Sequence, residues 1–355
     1  MGKKSKGRSA ERITKEESIE IENTLFLEVV RMAEQAAIAA SRAKITDELI
    51  IKGPSVVKEA SLDAMQEVCD KLNVEGKVVV VESGNHENLI LSVGQKIGRA
   101  VKDSWRVDVA VDAIDGPAFT VDEHPFTPRE VNNLVTSVAM SEKGGLLRVP
   151  DVCMEKLIVG PASVGKVDLC WPVDPNLRAI AKSLNQKVED LTVAVLGYNY
   201  SIDIAREVRE AGASVRFFDG DVLGALLAAV RGTDVHAVMG FGGAGRGVIA
   251  AAALKCLGGE IQARFLPRND KDKSKLKAVD ASADTIYTTN DLVPGEGIIF
   301  AMTGVTDGVI LKGVRLFPDQ AKTHTLSRAY QTKVVCFSKG IHSLKGRTRA
   351  IVEIQ

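Results

Sequence analysis

The sequence predicts an α/β protein of two domains. Three observations carry that expectation. Apolar runs of strand length end repeatedly in an acid or a glycine, and stretches of helical apolar spacing separate them. The 31 glycines supply the tight strand-to-helix turns that such alternation needs. At 355 residues the chain is long enough for two cores.

In chain order, residues 19–43 place apolar side chains at helical spacing, and a second helix is expected over 56–73. Residues 77–83, KVVVVES, read as a buried strand ending in an acid, and residues 106–115, RVDVAVDAID, read as another. Residues 132–149 read as a hairpin turning at Lys143-Gly144-Gly145. From about 190, strands at 191–197, 213–218 and 234–243 precede helices at 202–211, 221–231 and 246–257. That is the pattern of a parallel, doubly wound sheet, whose ligands sit at the carboxyl ends of the strands. Residues 267–277, PRNDKDKSKLK, read as a charged exposed loop, and 297–314 return to strands. The expected division is a basic flexible tail over 1–18, an α+β domain over 19–165 and an α/β domain over 166–355.

Composition excludes several classes of function. Lys plus Arg and Asp plus Glu are both 46, so no global field favours nucleic acid or a membrane surface. The five cysteines are odd in number and form no CxxC pair, which points to a reducing compartment and away from a structural zinc site. The cytoplasm is the first expectation for that compartment, with a plastid or another organelle as alternatives. No apolar run reaches transmembrane length and no signal-peptide segment follows the start.

One stretch poses a chemical question. Residues 107–116, VDVAVDAIDG, end a buried strand on Asp112 and Asp115. Two carboxylates so placed are costly unless a cation sits between them.

The segments VDVAVDAIDG (107–116), PDVCMEKLIVGP (150–161), FFDGDV (217–222), GFGGAGRGVIAAA (240–252) and AMTGVTDGVILKGV (301–314) answer part of it. In order and spacing, across most of residues 20–345, they resemble the class II fructose-1,6-bisphosphatases, which include bifunctional fructose/sedoheptulose bisphosphatases. The resemblance implies a layered α/β sandwich of the lithium-sensitive sugar/inositol phosphatase type. It also implies Mg²⁺- or Mn²⁺-dependent removal of a sugar phosphate, a sugar bisphosphate ligand and a homo-oligomer.

Carried over residue by residue, the resemblance puts metal ligands at Glu82, Asp112 and Asp115, with the Ile114 carbonyl as a further donor. It puts substrate contacts at Asp115, Gly116, Cys153, Tyr198, Tyr200, Asp219, Asp221 and Gly243. A plainer reading has Glu82 and Asp112 only capping strand ends. Cys153 is read as a packed small residue rather than a nucleophile, because no His is tied to it in sequence. The GxGxxG pattern over 240–245 lacks the acidic partner of a dinucleotide site, since Glu260 lies across a Gly-Gly turn. Its N–H groups suit an anion instead.

The departures from the family pattern are chemical reversals. Lys58 stands where the family has a metal-binding Asp, and Arg246 where it has a catalytic Glu. His86 replaces an Asp that positions water. Pro117 replaces a Thr that offers phosphate a hydroxyl and an N–H. Tyr198-Asn199-Tyr200 replaces a Lys-Pro-Arg phosphate clamp. Lys and Arg do not coordinate metal, so Lys58 and Arg246 are expected to fill the space of missing ions and pair with Glu82, Asp112 or Asp115.

The leading expectation is therefore a divergent homologue with phosphatase activity lost or strongly impaired, kept as a binding or structural subunit that can engage protein partners. The alternatives are an active Mn²⁺- or Mg²⁺-dependent fructose-1,6-/sedoheptulose-1,7-bisphosphatase of gluconeogenesis or the Calvin cycle, and a regulatory sensor of a sugar phosphate or other small anion.

Overall fold

The computed structural model describes residues 13–43, 55–82, 91–116, 133–197, 200–333 and 335–344. Five layers alternate as helix, sheet, helix, sheet, helix, which is the layered α/β sandwich expected.

Two helices form the first layer, α1 (Lys15–Ala43) and α2 (Ser55–Cys69). α1 begins inside the stretch expected to be flexible tail. Its start is fixed by Thr14, whose hydroxyl accepts from Glu17 N while the Glu17 carboxylate accepts from Thr14 N. Both helices lay apolar faces on one side of the first sheet, around Val29, Ala33, Met65, Val109 and Val111.

That first sheet holds β1 (Val74–Glu82), β2 (Lys96–Ile97), β3 (Trp105–Asp115), β4 (Val135–Glu142) and, further along the chain, four later strands. These are β11 (Ile299–Gly304), β12 (Arg315–Leu316), β13 (Gln320–Ala329) and β14 (Val335–Ser343). The order is β12-β13-β11-β4-β3-β1-β2, with β14 also paired to β13. Only β1 and β3 run parallel in this sheet. β3 is buried along nearly its whole length because β1 and β4 flank it and helices cover both of its faces.

The second sheet has the order β10-β9-β5-β8-β6-β7. Its strands are β5 (Cys153–Val159), β6 (Thr192–Leu196), β7 (Ser214–Phe218), β8 (Ala237–Gly243), β9 (Glu260–Phe265) and β10 (Tyr287–Thr288). β7, β6 and β8 are parallel as the alternation predicts, but β5 and β9 run against their neighbours, so the doubly wound unit is confined to three strands. On its outer side lie α3 (Val173–Leu184) and α4 (Ile202–Glu210), which bury Leu177, Ile180, Ala205 and Val208.

Between the sheets run α5 (Asp221–Ala229) and α6 (Ala244–Leu257). α6 touches β3, β1, β4 and β11 on one side and β9, β5 and β8 on the other. A helix with a sheet on either flank must be apolar nearly all round, and VIAAAALKCL is, apart from Lys255, whose ammonium donates to the Val293 and Gly295 carbonyls.

Two expectations fail. The hairpin over 132–149 does not form. After β4 the chain turns at Gly144-Gly145 and leaves for the second sheet, held on the way by Leu147 N donating to the Leu292 carbonyl. Residues 267–277 are not a loop, because α7 (Asp270–Ala278) occupies most of them. A last short helix, α8 (Thr289–Leu292), follows β10. No helix among the described residues is long and apolar enough to cross a membrane.

Candidate functional site

The acids of the site are placed by strand pairing. Glu82 closes β1 and lies in register with Asp112 of the parallel strand β3, so the two carboxylates sit side by side at the same sheet end. Asp115 follows three positions later, where a regular strand would turn it to the opposite face. The β3–β4 register shifts between Asp112 and Asp115, and this bulge brings both carboxylates to one side.

Against them stands the first turn of α6. Arg246 Nε lies 3.0 Å from Asp112 Oδ2 and 3.6 Å from Asp115 Oδ1, and its Nη2 donates to the Ile114 carbonyl at 3.4 Å. The expected pairing of Arg246 with the strand-end acids is present. Gly245 makes the approach possible, because a Cβ there would overlap the Glu82 carboxylate. Gly242 does the same for Asp221, which would collide with any side chain at 242.

Asp115 Oδ2 also accepts from Leu223 N at 2.7 Å, in the first turn of α5. Lys156, entirely buried on β5, pairs with Asp221 and donates to the Gly243 carbonyl at 2.6 Å. Lys156 was not singled out from the sequence. Its signal is a lysine inside MEKLIVGP, a strand otherwise closed to water.

Charge in this cluster is closely balanced. Burial raises Glu82 to about 7, helped by the Asp112 charge and opposed by Arg246. Burial likewise raises Asp115 to about 7, again with Asp112 adding to the shift and Arg246 opposing it. Asp112 is raised by burial against the pull of Arg246. Burial alone would lower Arg246, but Asp112, Asp115, Glu82 and Asp221 around it hold it well above its ordinary value. Lys58 is lowered by burial and by the positive charge of Arg246, while Asp112 and Glu82 pull it the other way. No described carboxylate reaches ion-pair distance of Lys58, so only half of the expected ion replacement is a direct contact.

Of these groups, Lys58, Asp221 and Arg246 line a cavity of about 500 Å³, while Glu82, Asp112 and Asp115 are not part of its wall. Lys58, Gly116, Cys153, Tyr200, Asp219, Asp221, Gly243 and Arg246 all line it, so residues scattered from 58 to 246 meet at one place. Phe218, Phe241 and Arg268 also line it and were not foreseen. His86, Pro117 and Tyr198 lie outside the described residues.

The residues present do not fit a divalent ion as placed. Asp112 Oδ1 and Asp115 Oδ1 are buried without hydrogen-bond partners, the kind of donors a cation would seek. The cation that faces them is Arg246, and no group of three or more His, Cys, Asp or Glu side chains among the described residues is placed to hold a metal ion. What the arrangement offers is a guanidinium and the glycine-rich start of α6, which together accept an anion, beside Asp219 and Asp221, which accept hydroxyls.

Comparison with known proteins agrees with the motifs. The family described as bacterial fructose-1,6-bisphosphatase, glpX-encoded, matches residues 23–342. A protein of Synechococcus sp. (strain JA-3-3Ab) named D-fructose 1,6-bisphosphatase class 2/sedoheptulose 1,7-bisphosphatase is 35% identical over 352 residues, covering 92% of this chain and 98% of that protein. Similarly named proteins of Gloeobacter violaceus and Acaryochloris marina are 33% and 32% identical, over 91% and 93% of this chain and 97% and 99% of their own lengths. With its layered fold and this breadth of match, the chain belongs to the class II, glpX-type fructose-1,6-bisphosphatase family.

Proposed function

We propose that the protein binds a sugar bisphosphate in the cavity above β1 and β3, with the Arg246 guanidinium supplying the positive charge at its centre and with hydrolysis strongly reduced. The observation that carries this reading is the Arg246 contact with both Asp112 and Asp115. A guanidinium neutralises buried carboxylates without metal, and it holds phosphate through planar, charge-assisted hydrogen bonds. It cannot activate water as a divalent ion does. Asp219 lines the cavity with no side-chain partner among the described residues and suits sugar hydroxyls, while Asp221 gives one oxygen to Lys156.

The second reading is an active, metal-dependent fructose-1,6-/sedoheptulose-1,7-bisphosphatase. The names of the relatives favour it, and on comparison alone it is better supported than an inactive scaffold. It requires Arg246 to leave the acids so that Glu82, Asp112 and Asp115 can take Mn²⁺ or Mg²⁺.

Turnover of fructose 1,6-bisphosphate with Mn²⁺ separates the two. The first reading expects kcat far below the ~10 s⁻¹ typical of enzymes, no stoichiometric Mn²⁺ binding by isothermal titration, and a rise in melting temperature with the bisphosphate. Ordinary turnover by the wild type, or tight Mn²⁺ binding at neutral pH, overturns it in favour of the second. Gain of Mn²⁺ binding by the double variant Lys58→Asp, Arg246→Glu alone supports the replacement of ions by side chains.

A further inference from the structure

Three cations line the cavity, and they are not equivalent. Arg246 is engaged by Asp112 and Asp115. Lys58 is drawn toward Asp112 and Glu82. Arg268 belongs to neither group. It comes from the loop after β9, and its side chain faces no described carboxylate at ion-pair distance.

The loop that carries Arg268 is held in place. Leu266 N donates to the Cys153 carbonyl at 2.8 Å, which ties the loop to β5. Arg268 N donates to Asp272 Oδ2 at 3.0 Å, which ties it to α7. The side chain is oriented as well. Its guanidinium carbon stands 4.0 Å from the centre of the Tyr200 ring, and Nη2 donates to Cys153 Sγ at 3.2 Å. Burial pushes the Cys153 thiol up, so the sulfur is neutral at ordinary pH and a weak acceptor. The guanidinium is thus stacked on one face, with one N–H given to Cys153 and no other side-chain hydrogen bond among the described residues.

We propose that Arg268 is a specificity-determining residue that receives the second anionic group of a doubly phosphorylated sugar, whose first is held at the inner end of the cavity by Arg246. The inference rests on the sugar-bisphosphate reading of the same cavity. Stacking on Tyr200 fixes the plane of the guanidinium without consuming its edge, which is the arrangement that favours two-point contact with a phosphate. A lysine in its place would keep the charge and lose both the stacking and the fork.

Isothermal titration of the full chain with fructose 1,6-bisphosphate, fructose 1-phosphate and fructose 6-phosphate tests it. Measured this way, Arg268→Ala should weaken the bisphosphate about tenfold or more. One of the two monophosphates, the one held through the inner end, should keep its affinity within about twofold, and Arg268→Lys should fall between wild type and Ala. Arg268 is exposed, so the variants are expected to melt with the wild type, and this is checked first. If the bisphosphate binds wild type and Arg268→Ala equally, the role of Arg268 is overturned while the sugar-bisphosphate reading stands. If no sugar phosphate binds the wild type, that reading itself fails and takes the inference with it.

Discussion

At the scale of single residues, the decisive feature is a reversal of sign. Asp112 and Asp115 are fully buried, and neither is tolerable as an anion without a partner. Arg246 is that partner, so its removal strands charge in the interior. Arg246→Gln is expected to destabilise the protein by roughly 3–5 kcal/mol, read as a lower denaturation midpoint in urea with an unchanged slope. Lys156→Met is expected to behave differently. It removes the partner of Asp221, but its apolar chain still fills the space beneath Gly247. The cost there is the unpaired Asp221, and Lys156→Met with Asp221→Asn should recover part of the loss, as a double-mutant cycle on melting would show. From the sequence, Arg246 and Lys58 were legible as chemical oddities because the motifs around them are intact. Lys156 and Arg268 were not. Each owes its place to an approach between segments far apart in the chain, which local spacing does not encode.

At the scale of elements, β3 carries a third buried acid, Asp108, whose cost depends on pH. Burial raises Asp108 to about 6, opposed by a hydrogen bond from Gly144 N at 2.7 Å. A carboxyl raised on folding adds stability below its unfolded value near 3.8, and that contribution is lost as pH climbs through about 6. Above that range the folded state bears the ionised, buried group. Asp108→Asn keeps an acceptor for Gly144, so it should stabilise the protein at pH 8 by ~2–3 kcal/mol at most, read as a higher melting temperature, and change it little at pH 4. A flat difference between the two pH values would rule this out. α7 shows the opposite limit of legibility. Only Leu276 of that helix is buried, so its sequence has no apolar stripe and reads as a loop. Its helical signals are at the ends: Asn269 accepts from Asp272 N at 2.9 Å, acids open the first turn, and Lys275 and Lys277 close the last. Asn269→Ala should cost ~1 kcal/mol, visible as faster amide exchange confined to α7.

At the scale of the whole molecule, the layers were legible and their stitching was not. Strand and helix periods in the sequence place the elements between 191 and 257, and β1, β3, α1 and α2, within a few residues, because buried strands and a helix flanked by two sheets have strong apolar signatures, whereas α3, β5, β9, β13 and β14 were not expected. Sheet order has no such signature. β11 pairs with β4 and β13 with β11, so the chain returns to the first sheet after the second is built, and the alternation over 191–257 gives no hint of it. The hairpin expected over 132–149 failed for the same reason: Gly144-Gly145 turns the chain, but toward the other sheet.

α6 draws these scales together, since one helix packs against both sheets and carries in its first turn the residue that neutralises the site. That has a consequence for how such a sequence can change over generations. A change that shifts α6 against either sheet also moves Arg246 off Asp112 and Asp115, so substitutions in the cores on both sides of the helix are constrained by the charge balance of the site. Packing and charge must change together there.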